Sequence, residues 1–129
     1  MRYAKEFLPY HHGKIREIGE LRFIGMTMSK KWETYGIHAL EAIYPIAGPG
    51  FESIRNTGSG KRNVVHIKHK KGFDVVICNT YDMTYNPVMN LVGTAGTLTL
   101  RAQDSYSSFR GQLVTFVGYL RTGVLPFPF

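Results

Sequence analysis

Phe73-Asp-Val-Val-Ile-Cys-Asn-Thr-Tyr-Asp-Met83 decides how the rest of the chain is read. One face of this stretch carries Phe73, Val75, Ile77, Tyr81 and Met83, while the other mixes Asp74, Thr80 and Asp82 with Val76 and Cys78. A repeat of about two residues is the period of a β-strand. Upstream, Asn63-Val-Val-His-Ile-Lys-His69 alternates Val65 and Ile67 against His66 and Lys68, and Lys70-Lys71-Gly72 makes a tight reversal into Phe73. The pair therefore reads as a hairpin. Downstream, Thr97, Thr99 and Arg101 face one way and Leu98, Leu100 and Ala102 the other, which directs the leucines to the core. Phe109-Arg-Gly-Gln-Leu-Val-Thr-Phe-Val-Gly-Tyr-Leu120 is rich in β-branched and aromatic residues, so a strand is expected at 109–120. Either its Leu113, Thr115, Val117 face or its Val114, Phe116, Leu120 face would join Leu98 and Leu100. The expected fold class is all-β, a single antiparallel β-sandwich or barrel.

The remaining segments fit around that core. Residues 1–14 hold Phe7, Leu8 and Tyr10 with Pro9, Gly13 and His11-His12 and show no sustained period, which suggests an extended N-terminal arm. Glu20 to Met28 reads as a strand. Trp32 to Ile46 is ambiguous: Ala39-Leu-Glu-Ala suits a short helix, but Tyr35, Ile37, Ile43 and Tyr44 tip the reading to strand, ended by Pro45 and the Ala47-Gly-Pro-Gly50 turn. A long loop is expected over 47–62 and an apolar C-terminal tail over 122–129. At 129 residues the chain suits one domain, 1–129, able to bury roughly two thirds of its unfolded surface.

Sixteen Lys and Arg against nine Asp and Glu give a net charge of +7, enough to attract polyanions through a salt-screened field. The lone Cys78 excludes an internal disulfide framework and a cysteine zinc cluster, and reads as a small packed residue. No apolar run reaches the roughly 18 to 20 residues that span a bilayer, and the first residues lack the apolar centre of a secretory signal. No membrane partner and synthesis in the cytoplasm are expected. Thr57-Gly-Ser-Gly-Lys-Arg62 fails as a phosphate loop, with Arg55 and Arg62 where glycine and Ser or Thr are required. His66 and His69 point to opposite faces of a strand, so they cannot chelate one ion. No metal, cofactor or catalytic residue is expected.

Two features bear on partners. Lys61, Arg62, Lys68, Lys70 and Lys71 form a basic block with no acid until Asp74. It suits contact with a polyanion such as nucleic acid, contact with an acidic neighbouring subunit, or plain solvation at a hairpin tip. Leu125, Phe127 and Phe129, separated by Pro126 and Pro128, make a tail that cannot be a fully paired strand and would gain by docking on a neighbouring subunit.

Gly96-Thr-Leu-Thr-Leu100 followed by Phe109-Arg-Gly-Gln-Leu-Val-Thr-Phe-Val-Gly-Tyr119 resembles the closing strands of phage tail-tube and related virion β-sandwich proteins. The resemblance covers about a third of the chain. It implies a non-enzymatic, self-assembling subunit of a phage virion, such as a tail-tube, head-to-tail or capsid-associated protein. Such subunits form homo-oligomeric rings with other virion proteins, made in the host cytoplasm. Its basic charge departs from the acidic lumens of that family. The alternative is a small basic β-barrel that binds nucleic acid, and an enzyme ranks third.

Overall fold

The computed structural model describes residues 1–13 and 15–126. The alternating stretch forms the centre of a six-stranded sheet. Asp74–Thr80 is β4, preceded by Arg62–His69, which is β3 and pairs with it antiparallel. Val65, Ile67, Phe73, Val75 and Ile77 are buried on one side, as the two-residue period requires. Gly72 turns the hairpin at φ 81°, a left-handed backbone that favours glycine. The buried His69 ring stacks on Phe73 with centroids 4.4 Å apart.

Leu21–Ser29 forms β1, and it runs parallel to β4 with Gly25 opposite Val76 and Ser29 opposite Thr80. Val88–Gly93, β5, adds antiparallel to the other side of β1, and Thr97–Arg101, β6, closes that edge. Phe51–Asn56, β2, pairs with β3 at the opposite edge. The strand order is thus β2-β3-β4-β1-β5-β6, with β1 and β4 the one parallel pair among them.

The architecture is mixed α/β rather than an all-β sandwich or barrel. Trp32–Ala47, expected as a strand, is the helix α1, which packs on β1 and β4. Its buried residues Gly36, Ala39, Ile43 and Ile46 recur at intervals of three and four, a helical stripe whose small members let the helix approach the sheet closely. Burying that stripe outweighs the few tenths of a kcal/mol per residue that β-branched and aromatic side chains cost a helix. Pro45 does not end the element. It lies in the last turn, where its missing N–H forfeits one bond, and beyond it Gly48 N donates to the Tyr44 carbonyl at 2.7 Å.

The second correction is Ser105–Thr122, which forms the helix α2 in place of the strand expected at 109–120. Its ends carry ordinary helix signals. The Asp104 carboxylate accepts from Ser107 N at 2.9 Å and from the Ser107 hydroxyl at 2.7 Å, and Gly123 closes the helix at φ 69° by donating to the Tyr119 carbonyl. Between them Phe109, Leu113, Phe116 and Leu120 recur at four, three and four residues, which is helical spacing. None of α2 is buried: Phe109, Leu113, Phe116 and Leu120 are all at least 55% exposed, so neither face expected in the core is there. Leu100, at 6% exposed, is buried, and Leu98 packs half-buried beside it.

The first residues are short turns rather than an extended arm, with Ala4 and Phe7 buried beneath them. The expected loop over 47–62 contains β2. Leu125 is half exposed, while Phe127 and Phe129 lie outside the described residues, so the tail's docking is an expectation.

The α2 cap sets a pH dependence. The Ser107 backbone N–H, then its hydroxyl, then the Lys5 ammonium 3.1 Å away hold the Asp104 carboxyl at about 2, below its ordinary 3.8. Because the folded value is the lower one, this support for the helix is complete above pH 3.8 and lost as pH falls toward 2. Chemical shifts of residues 105–122 are expected to lose helical character over that window, and Asp104→Ala to flatten the transition.

Candidate functional site

The parallel pair places the carboxyl ends of β1 and β4 side by side, Ser29 against Thr80. In sheets with parallel strands, ligands settle at such ends. Three segments meet here: Lys30 N donates to the Tyr81 carbonyl at 3.2 Å, and Tyr81 N donates to the Lys61 carbonyl at 2.9 Å. Lys30 is held at φ 69°, a left-handed conformation uncommon outside glycine and frequent where function over-determines the backbone. The amino end of α1 follows at once. Its cap residue, Lys31, supplies no side-chain hydrogen bond, and the Lys31 carbonyl accepts from Thr34 N and Tyr35 N. The amides of the helix's first residues therefore have no partner within the helix and present a partial positive charge.

Aromatic rings wall this edge. Lys30 Nζ donates to the Tyr35 hydroxyl at 3.2 Å and lies 4.7 Å above the Tyr35 ring and 5.0 Å above the Tyr85 ring, a cation held between two π faces. Tyr35 and Tyr85 meet edge to face, and His38 stands one helical turn beyond Tyr35 with ring centroids 5.6 Å apart. His38 Nδ1 lies 3.3 Å from Glu41 Oε2, which also accepts from the Met1 ammonium at 3.1 Å. Burial alone would raise the Glu41 pKa, but the Met1 ammonium and His38 together bring it below the ordinary value. Glu41 is thus a carboxylate, and it holds the proton on Nδ1, leaving Nε2 as the basic nitrogen. A cavity of about 200 Å³ lies against His38, Glu41, Tyr85 and Phe109. A larger one, about 580 Å³, opens between Lys30, Lys31, Trp32, Lys61 and Tyr81.

The basic block does not form one surface. Lys61 stands at this edge with Nζ 5.5 Å above the Tyr81 ring, and Arg62 begins β3 beside it. Lys70 and Lys71 lie at the far end of β3, about 25 Å away at the usual rise per residue. There Lys71 Nζ donates to the Ala47 carbonyl, where a cation suits the carboxyl end of a helix. Lys68 is exposed on β3 between the two ends. Among the described residues no three His, Cys, Asp or Glu come together to hold a metal. The sequence reading missed Lys30, Tyr35 and Asn79 as members of a site. Asn79 left a signal, an amide in register with Phe73, Val75 and Ile77 on an otherwise apolar face.

The fold has known counterparts. Across 97% of its length the chain superposes on a probable dehydrogenase from Thermotoga maritima, with TM-score 0.78 and 17% identity, covering 54% of that protein. The fold is the one that the Thermotoga maritima protein shows over about half of its length. A myo-inositol dehydrogenase from Corynebacterium glutamicum matches over 95% of this chain and 53% of its own, with TM-score 0.73 and 16% identity. An oxidoreductase from Agrobacterium radiobacter, solved with NAD+, L-tartaric acid and magnesium, matches over 97% and 54% with TM-score 0.63 and 11% identity. The chain spans about half the length of these proteins. No protein-family model and no curated sequence matches it.

These matches overturn the expectation of a phage tail-tube, head-to-tail or capsid-associated virion subunit, and that of a nucleic-acid-binding β-barrel. They also overturn the expectation of a non-enzymatic fold. The segments behind the virion resemblance are not two paired strands: Thr97–Arg101 is an edge strand and Phe109–Tyr119 lies within a helix.

Proposed function

We propose that this chain is the substrate-side half of a Gfo/Idh/MocA-type oxidoreductase, acting on a polyhydroxylated small molecule while a separate half holds the nicotinamide dinucleotide. The observation that carries this reading is the fit of nearly the whole chain to about half of each matched dehydrogenase. The residues present do not suit the dinucleotide itself. The turn from β1 into α1 is Ser29-Lys30-Lys31 without glycine, and the sequence contains no Gly-x-Gly-x-x-Gly. The sheet has a single parallel pair rather than the parallel set on which that fingerprint sits.

The chain's own contribution is substrate placement and proton handling. Lys30, Tyr35 and Tyr85 supply donors and apolar ring faces for a hydroxyl-bearing substrate. His38 Nε2, its tautomer fixed by Glu41, takes the proton of the hydroxyl being oxidised. Titrating the labelled chain tests this. Millimolar myo-inositol is expected to shift the amide resonances of Lys30 to Glu41, and NADH to shift none. Micromolar binding of NADH, or a polyol footprint elsewhere, would overturn the assignment.

A further inference from the structure

The helix α2 turns its small side toward its own domain. Gly111 comes so near Tyr3 that a Cβ on it would stand 3.1 Å from the Tyr3 Cβ, and Thr115, one turn on, shares a cavity of about 400 Å³ with Tyr3. At about 100° per residue, Tyr106, Phe109, Leu113, Phe116 and Leu120 gather into a stripe about 80° wide, nearly opposite Gly111 and Thr115. Every member is more than half exposed. Their exposed surface comes to roughly 600 Å², the top of the range for an apolar patch on a monomer and the lower end of that for a contact between domains. Phe109 also lines the cavity that holds His38 and Glu41, so whatever covers the stripe stands at the mouth of that cavity.

Two occupants compete for it. A second copy would lay one chain of net charge +7 on another, and α2 carries Arg110 and Arg121 with no acid between Ser105 and Thr122 to answer them. The half that holds the dinucleotide lies outside a chain that fits about half of each matched dehydrogenase. To serve the site it has to come within about 3.5 Å of the carbon whose hydroxyl His38 deprotonates. It must therefore sit against this edge, and the stripe begins there.

We infer that the α2 stripe is the docking surface for the dinucleotide-holding half, which offers it an apolar groove rimmed by acids that meet Arg110 and Arg121. This rests on the reading of the chain as the substrate-side half and names the contact that completes its site. The test is recovery of the tagged whole chain from its source cells, for the parent and for Leu113→Asp with Phe116→Asp, with NADH fluorescence and mass spectrometry reporting what each retains. Hydrogen exchange of the parent, alone and assembled, is read beside it and decides even if the variant misfolds.

The isolated chain is expected to be a monomer, and amides 109–120 to exchange more slowly in the assembly. The double variant, changed at two exposed positions, should keep its melting temperature and retain the NADH-binding half at least about tenfold less well. Full retention by the variant, or α2 exchange indifferent to assembly, overturns the inference: the dinucleotide half then sits elsewhere and the substrate-side reading stands. A dimer of the isolated chain that the variant dissolves overturns it in favour of a second copy. If the parent retains no NADH-binding protein, both the inference and that reading fall.

Discussion

Replacing Ile77 by alanine is expected to lower the free energy of unfolding by about 2–5 kcal/mol. Ile77 is fully buried on the central strand β4, opposite Met26 on β1 and Val65 on β3, beneath α1. A cavity there has packed neighbours along both strands and under the helix, so relaxation recovers little of the lost contact. Denaturant unfolding checks the value, with Leu120→Ala on the 65% exposed face of α2 as the comparison. That second change should stay within about 0.5 kcal/mol. A cost below that range at Ile77 would refute the two-layer core.

Substituting His38 with alanine is expected to reduce substrate turnover in the assembled oxidoreductase by about 100- to 10,000-fold, the usual contribution of a placed general base. The side chain is 39% exposed and sits on the outer flank of α1 rather than in its buried stripe, so the melting temperature should hardly move. Glu41→Gln should cost less. It keeps an acceptor for Nδ1–H but removes the charge that favours the imidazolium formed during proton transfer. Steady-state kinetics across pH separate the two: without His38 the limb of the profile that reports the base should vanish. Turnover within about threefold of the parent in His38→Ala would be too small a loss for a general base and would remove His38 from the mechanism.

Local patterning specified the β3–β4 hairpin, because strict alternation and Gly72 leave a two-stranded turn as the cheapest arrangement of Asn63 to Thr80. It also placed Leu100 inside. The ends of α2 were written locally as well, in Asp104 and Gly123, but the β-branched composition between them points the other way, and the caps with the four-three-four spacing prevail. Trp32–Ala47 is a different case. Its stripe of Gly36, Ala39, Ile43 and Ile46 has value only when a sheet lies beneath it, and no window of sequence contains that sheet.

The site depends on the same non-local step. Ser29 and Asn79 are fifty positions apart, and Lys61 and Tyr85 lie on separate connections. They share an edge because β1 pairs parallel to β4, an arrangement that requires a crossover through α1, β2 and β3 before any contact is made. The sequence by itself determined which strands alternate, where the chain turns and that it carries excess positive charge. Only the tertiary structure decided which charges meet, because strand pairing is fixed by burial on both sides of β4 and not by any residue near Lys30 or His38.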